Sequence, residues 1–175
     1  MIRTMLAAGL VLASLTGCTQ EDAKAQPAED PAAEVTLSAG DRDAAFRAAG
    51  FTKAAGEWHS CDDPGTASYS PGEIEQSGDF NGDGRPDAVI VESSSYCHGA
   101  AGTGYSLVSQ QADGSWKLMT QNTGVLAFLD ARGTGGWPDI SVGGPGFCFP
   151  VERWDGKEYN VRGFEYEGKA CRLED

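Results

Sequence analysis

The sequence has few basic residues, and this shortage excludes two classes of binding protein. Its 175 residues include 13 Lys and Arg against 26 Asp and Glu, so the formal net charge is −13. Nucleic-acid binding depends on basic side chains that displace counterions from phosphates, and an anionic membrane surface likewise attracts basic patches. The composition therefore argues against a nucleic-acid partner and against membrane attachment through surface charge.

Long hydrophobic runs are also missing. The apolar segment 5–13 follows Arg3 and is too short for a bilayer core, which requires about 20 helical residues. A short apolar segment behind a basic residue is typical of an export signal. The segment leads into Leu15-Thr16-Gly17-Cys18, which resembles the lipobox of bacterial lipoproteins.

This resemblance implies a signal peptide at 1–17, cleavage before Cys18, and acylation of Cys18. Two or three acyl chains anchor a protein stably, whereas one chain binds only marginally. Residues 18–35 are rich in Gln, Glu, Asp, Ala and Pro without periodicity, so we expect a disordered tether. Thr19 stands where Asp favours inner-membrane retention in enteric lipoproteins. We therefore expect a lipid-anchored protein of the cell envelope, on the outer membrane and facing the periplasm.

Catalytic motifs are scarce as well. The sequence has two histidines, His59 and His98, which we expect in turns or on the surface; a zinc pair with Asp62 or Asp63 is the alternative. The serines at 93–95 lack the G-x-S-x-G pattern that presents a hydrolase nucleophile. We therefore expect a protein that is not an enzyme.

Glycine, by contrast, is abundant, with 24 residues that punctuate short apolar or alternating runs. Ser38, three residues before Asp41, predicts the start of a helix, and Gly50 predicts its end. Asp113-Gly114 and Asp155-Gly156 lie between strand-like runs and predict hairpins. The domain 36–175 is therefore predicted to be mainly β, with one short N-terminal helix. The expected strands include 88–91, 105–108, 116–119, 140–142 and 159–162.

An acidic loop followed by a strand and a hairpin occurs twice. The loops are 79–87 and 130–139, and Asp139 follows Asp87 by 52 positions. The repeat resembles the FG-GAP and VCBS repeats of integrin-like β-propellers. Since a propeller needs at least four blades, two repeats of about 50 residues predict a small antiparallel sheet, a sandwich or a barrel-like body. The mature sequence as a whole also resembles periplasmic lipoproteins of alphaproteobacteria, a resemblance that implies no function.

The first loop has the pattern of a calcium site. Asp79, Asn81, Asp83 and Asp87 occupy positions 1, 3, 5 and 9 of D-x-N-x-D-G-x-x-D, and the Arg85 carbonyl is the expected ligand at position 7. Oxygen ligands at alternating positions of a tight turn point inward, and three carboxylates so close together repel without a cation. We expect one Ca²⁺ ion, with a metal-free acidic turn as the alternative. Mg²⁺ is disfavoured because it resists dehydration.

The second loop departs from this pattern. Arg132 replaces the ligand at position 3, and Thr134 replaces the carboxylate at position 5. A guanidinium beside Asp130 and Asp139 repels Ca²⁺, so no second ion is expected. Arg132 is expected either to take the place of the ion or to point into solvent.

Apart from Cys18, the chain has four cysteines: Cys61, Cys97, Cys148 and Cys171. An even number in an exported protein predicts two disulfides, for which three pairings are possible. We favour Cys61–Cys97 and Cys148–Cys171, since each joins neighbouring segments.

Three function classes are consistent with these features. The leading one is a calcium-stabilised envelope lipoprotein that serves as a non-enzymatic binding or adhesion module for a protein or glycan partner. The alternative is an inhibitor of a cationic envelope-targeting protein such as lysozyme. A periplasmic hydrolase is the second alternative.

Overall fold

The computed structural model describes residues 35–173. The predicted signal peptide, Cys18 and the tether up to residue 34 lie outside the described residues. Helix α1 spans Ala39–Ala48 and helix α2 spans Ser95–His98. The strands are β1 (Thr52–Ala54), β2 (Glu57–His59), β3 (Ser70–Gly78), β4 (Asp87–Ser93), β5 (Thr103–Gln110), β6 (Trp116–Thr123), β7 (Val125–Arg132), β8 (Pro138–Gly143), β9 (Phe149–Trp154), β10 (Tyr159–Tyr166) and β11 (Lys169–Ala170).

Helix α1 begins and ends at the residues that the sequence indicates. The Ser38 hydroxyl accepts a hydrogen bond from the Asp41 amide (3.1 Å) and so satisfies one of the free N–H groups of the first turn. Gly50 has a φ of +85°, and the next amide, that of Phe51, donates to the Phe46 carbonyl (3.0 Å). The predicted helix is therefore confirmed, with a left-handed glycine after its last turn.

The strands form two antiparallel sheets. The first has the order β1-β2-β3-β4-β5-β6, and the second has the order β11-β10-β9-β8-β7, so within each sheet consecutive strands pair, and the chain passes from one sheet to the other between β6 and β7. Strands β3–β6 and β7–β10 are two four-stranded meanders of the same design. In each, an acidic loop joins the first two strands and an Asp-Gly hairpin joins the last two. The mainly β architecture of two repeats is confirmed.

Both faces of the first sheet are buried, because residues of β4 alternate between two cores. Ala88 and Ile90 pack with Phe46 of α1, whereas Val89 packs with Ile140 of β8 in the second sheet. The molecule is thus layered as helix, sheet and sheet. Among residues 35–173, no helix combines the length and hydropathy that a membrane span needs.

The disulfide pairing agrees with the prediction. Cys61 is bonded to Cys97 in α2, with their Cα atoms 6.4 Å apart, and Cys148 is bonded to Cys171, with a Cα separation of 5.7 Å. The first bridge attaches the segment after β2 to α2. The second joins the chain end beyond β11 to the segment before β9.

Candidate metal centre

The first acidic loop connects β3 to β4 and is organised around Asp79. Its Oδ1 accepts hydrogen bonds from the amides of Gly82 (2.8 Å) and Asp83 (3.0 Å), and its Oδ2 accepts one from Gly84 (2.8 Å). Gly82 and Gly84 have φ angles of +79° and +81°. Glycine adopts this left-handed region without a steric penalty, so the chain can curl around the carboxylate.

Asp87 closes the loop and is the buried member of the predicted ligand set. Its side chain is 0 % exposed, Oδ2 accepts a hydrogen bond from the Phe80 amide (2.8 Å), and Oδ1 has no hydrogen-bond partner. Burial raises the pKa of Asp87 to about 7; the nearby Ser109 hydroxyl and the Phe80 amide oppose this shift, while Asp83 and Asp79 add to it. Among the described residues, no Lys or Arg forms a salt bridge with Asp87. Asp87 is therefore a buried carboxylate without a counter-charge.

The remaining predicted ligands lie at the outer side of the loop. Asp83 Oδ1 accepts from the Arg85 amide (3.0 Å), and Oδ2 accepts from Asn81 Nδ2 (3.0 Å) and pairs with the Arg85 guanidinium. Within residues 35–173, no three acidic, histidine or cysteine side chains converge on one metal position. The predicted residues thus share one loop, but their carboxylates bind amides and Arg85 rather than pointing at a common centre.

Arg132 of the second loop does not take the place of the ion. Its Nη1 donates to the backbone carbonyls of Phe80 (2.7 Å) and Gly136 (3.2 Å), and among the described residues it forms no salt bridge with Asp130 or Asp139. The ion-replacing expectation is therefore wrong, whereas the residue is exposed to solvent, as the alternative expected. The carbonyl of Phe80 lies in the first loop, so the guanidinium joins the two loops. Gly136 has a φ of +81°, and a Cβ atom there would collide with the Asn81 carbonyl oxygen.

Asp139, the counterpart of Asp87 in the second loop, is compensated by two other arginines. It is also 0 % exposed, but Arg153 binds it through Nε–Oδ1 (2.8 Å) and Nη2–Oδ2 (2.9 Å), and Arg162 Nε donates to Oδ2 (2.6 Å). Burial raises the pKa of Asp139, yet the hydrogen bonds from Arg153 and Arg162 outweigh it, so the pKa is lowered overall. Within residues 35–173, one buried carboxylate therefore has two protein cations, and its counterpart has none.

Strand register explains this difference. Asp87 of β4 lies opposite Ser109 of β5. In the second unit, Ile140 of β8 lies opposite Glu152 of β9, and the same register places Asp139 opposite Arg153. Equivalent positions thus carry a hydroxyl in the first unit and a guanidinium in the second.

A second buried carboxylate in β4 was not anticipated from the sequence. Glu92 is 2 % exposed; its Oε1 accepts from the Ser60 amide (3.0 Å) and the Tyr69 hydroxyl (3.1 Å), and its Oε2 accepts from the Ser60 hydroxyl. His59 Nδ1 is hydrogen-bonded to the same Tyr69 hydroxyl (2.5 Å). The only sequence signal for this cluster is an acidic residue that continues the apolar run 88–91.

The two histidines therefore belong to different surroundings. His59 binds Tyr69, while His98 lies at the end of α2 with its Nδ1 3.4 Å from Thr123 Oγ1. In the part of the chain that the structure describes, neither forms a three-residue metal cluster with Asp62 or Asp63. Comparison of the chain with protein-family models, with curated proteins and with solved structures gave no match.

Proposed function

We propose that the protein is a calcium-stabilised binding module of the cell envelope, held by a lipid at Cys18, without enzymatic activity. The observation that supports calcium is the difference between Asp87 and Asp139. Both are buried at the same point of a repeated loop, but in the part of the chain that the structure describes Asp139 has cationic partners and Asp87 has none. Buried charges in proteins are paired, bind metals or are neutralised through a shifted pKa, and the pKa of Asp87 is raised to about 7. A cation from outside the chain would compensate the ionised carboxylate, and this is the role that we propose for calcium.

The donor chemistry of the loop suits calcium. The side chains of Asp79, Asn81, Asp83 and Asp87 and the carbonyl of Arg85 would hold the ion, and all of these groups offer oxygen, the ligand atom that Ca²⁺ prefers. When bound, calcium supplies two positive charges that offset the repulsion among the three carboxylates. The buried Oδ1 atom of Asp87, which makes no hydrogen bond among the described residues, would supply a ligand atom. Asp83 would exchange its Arg85 partner for the metal.

The proposed anchor leaves the folded body free to reach a partner. The Val35 amide donates to the Ser77 carbonyl (3.1 Å), and Ser77 Oγ donates to the Val35 carbonyl (2.7 Å), so the chain is attached to β3 at Val35. Between Cys18 and Val35 a fully extended chain can span about 55–60 Å. A protein or glycan partner in the periplasm is then within reach of an outer-membrane anchor.

Calcium calorimetry tests the metal part of this proposal. We expect one ion per chain with a dissociation constant of about 10⁻⁴ to 10⁻³ M, the range of extracellular modules. Asp83→Asn removes one ligand charge and should abolish the binding heat. Asp130→Asn in the second loop changes the net charge equally and should leave calcium binding intact. Absence of calcium binding in the wild-type protein would reject the metal site, and loss of binding in Asp130→Asn would place the ion in the other loop.

Pull-down from envelope extract, with and without chelator, tests the binding role. Capture of the same protein or glycan in calcium, and its loss in chelator, supports a calcium-stabilised module. Capture of a basic protein that is released by moderate salt would instead favour the inhibitor alternative.

A further inference from the structure

A cavity of about 460 Å³ lies on the α1 face of the first sheet, around Glu92. The segment after α1 and the ring of Phe51 form one wall, and strands β4, β5 and β6 form the floor. The polar residues that line it are Ser60, Glu92, His98, Tyr105, Ser106, Gln121, Asn122 and Thr123. Its volume is in the range of small-molecule binding sites.

Glu92 is held in this cavity by neutral donors alone. Its hydrogen bonds come from the Ser60 amide and hydroxyl and from the Tyr69 hydroxyl. Within residues 35–173, no Lys or Arg forms a salt bridge with Glu92, and none lines the cavity. A buried carboxylate without a cation is costly, and Glu92 lines the cavity, so a cationic ligand group bound there would reduce that cost.

His98 supplies an independent sign of a ligand. Its ring lies directly against Gly104, where any Cβ atom would collide with it, so the imidazole is held in a fixed position over the sheet. Its Nε2 lies near Gly104, is buried and has no hydrogen-bond partner among the described residues. Buried polar atoms are normally hydrogen-bonded, so an unpaired nitrogen on a residue that lines a cavity points to a missing partner.

From these two groups we propose that the cavity binds a small polyhydroxylated molecule that carries an ammonium group, as an amino sugar does. The ammonium would pair with Glu92, and a hydroxyl would bond to His98 Nε2. Hydroxyls and amides of Ser106, Gln121 and Thr123 are placed along the same cavity to bind further hydroxyls. The inference deepens the binding-module proposal by naming the ligand class.

The cavity is separate from the calcium loop. Asp87 and Glu92 are at opposite ends of β4, five residues apart, which is about 17 Å along a strand. They also point to opposite faces, because side chains alternate along a strand. Failure of one site can therefore be distinguished from failure of the other.

The test uses two probes that differ in one group: glucamine, a six-carbon polyol with a terminal ammonium at neutral pH, and sorbitol, which has a hydroxyl there. The full chain with Cys18→Ala is titrated with each, and binding is followed by calorimetry and by backbone amide NMR shifts. Charge-assisted hydrogen bonds are about twice as strong as neutral ones, so glucamine should bind at least about tenfold more tightly. The shifts should map to residues that line the cavity, and chelator should not change them.

Three variants complete the test. Glu92→Gln keeps the shape and should reduce glucamine affinity to that of sorbitol. Glu75→Gln, on the exposed side of β3, removes the same charge outside the cavity and should have no effect. His98→Phe keeps a ring against Gly104 but lacks the ring nitrogens, so it should weaken the binding of both glucamine and sorbitol several-fold.

Two results with the wild-type protein would overturn the proposal: equal affinity for glucamine and sorbitol, or NMR shifts confined to residues outside the cavity. Neither result depends on whether the Glu92→Gln variant folds. Unchanged glucamine affinity in a folded Glu92→Gln protein would overturn it as well. Loss of calcium binding in Asp83→Asn with glucamine binding retained would show that the two sites are independent.

Discussion

Replacing Arg153 with Met tests whether cations satisfy the buried carboxylate of the second loop. The change removes both bonds to Asp139, at 2.8 and 2.9 Å, while methionine keeps part of the aliphatic stem. Asp139 is 0 % exposed, but the Arg153 side chain over it is 41 % exposed, so water can replace part of the lost interaction, and Arg162 still binds Oδ2. A hydrogen bond to a charged group contributes about 1.5–3 kcal/mol, and breaking a buried pair completely costs about 3–5 kcal/mol. With one arginine left, we expect a loss of about 2–3 kcal/mol in the free energy of unfolding.

The pH dependence of this loss separates the charge from the packing. The folded pKa of Asp139 is lowered, because the hydrogen bonds from Arg153 and Arg162 outweigh the effect of burial. A carboxylate with a lowered folded pKa contributes stability above its unfolded pKa, about 3.9, and loses that contribution as the pH falls through the folded value. The difference between wild type and Arg153→Met should therefore be largest at neutral pH and should shrink in acid.

Urea unfolding at pH 7 and near pH 3 measures both quantities. Arg47→Met is the control, since Arg47 pairs with Asp43 at 3.6 Å on the surface of α1 and its side chain is 64 % exposed. An exposed pair of this kind contributes less than about 1 kcal/mol. The reasoning fails if Arg153→Met is no more destabilising than Arg47→Met, or if its cost is the same at both pH values.

Three further predictions concern the anchor, the crosslinks and the contact between the loops. Cys18→Ala should move the native protein from the membrane fraction to the soluble fraction; palmitate labelling that survives the change would reject acylation at this residue. Mass mapping without reductant should find no free thiol among the four other cysteines, and the paired change Cys148→Ala with Cys171→Ala should cost about 2–5 kcal/mol, measured by urea unfolding. Gly136→Ala combines a positive φ with a collision at the Asn81 carbonyl and should cost at least about 1 kcal/mol; an unchanged melting temperature would show that the loops are not tightly packed.

The parts of the fold that the sequence predicts well are those specified by local chemistry. Helix α1 carries its own N-cap at Ser38 and its own left-handed glycine at Gly50, and the two Asp-Gly turns lie between strands that pair across them. The disulfide pairing also follows from proximity along the chain. The helix and the turns depend on residues within a short segment, so no knowledge of the packing is needed to predict them.

Strand β3 shows where this approach fails. Its sequence, SPGEIEQSG, contains Pro and Gly and little apolar surface, so it has the composition of a turn. It is extended because it pairs with β4 along nearly its whole length, from Ser70 opposite Ser93 to Gly78 opposite Asp87. The sequence of this segment indicates only its own preference for a turn. Pairing with the strongly apolar strand β4 outweighs that preference.

The different chemistry of the two acidic loops is hidden from the sequence for a related reason. Inside the loop, Arg132 suggests a replacement for the metal, yet it binds the Phe80 carbonyl instead. The cations that pair with Asp139 are Arg153 and Arg162, which lie one and two strands further along the chain, and the residue opposite Asp87 is Ser109. These partners become apparent only once the strand register is known, because a shift of one residue would turn either side chain to the other face. A loop motif therefore identifies the carboxylates, whereas the strand opposite determines whether the protein supplies their counter-charge.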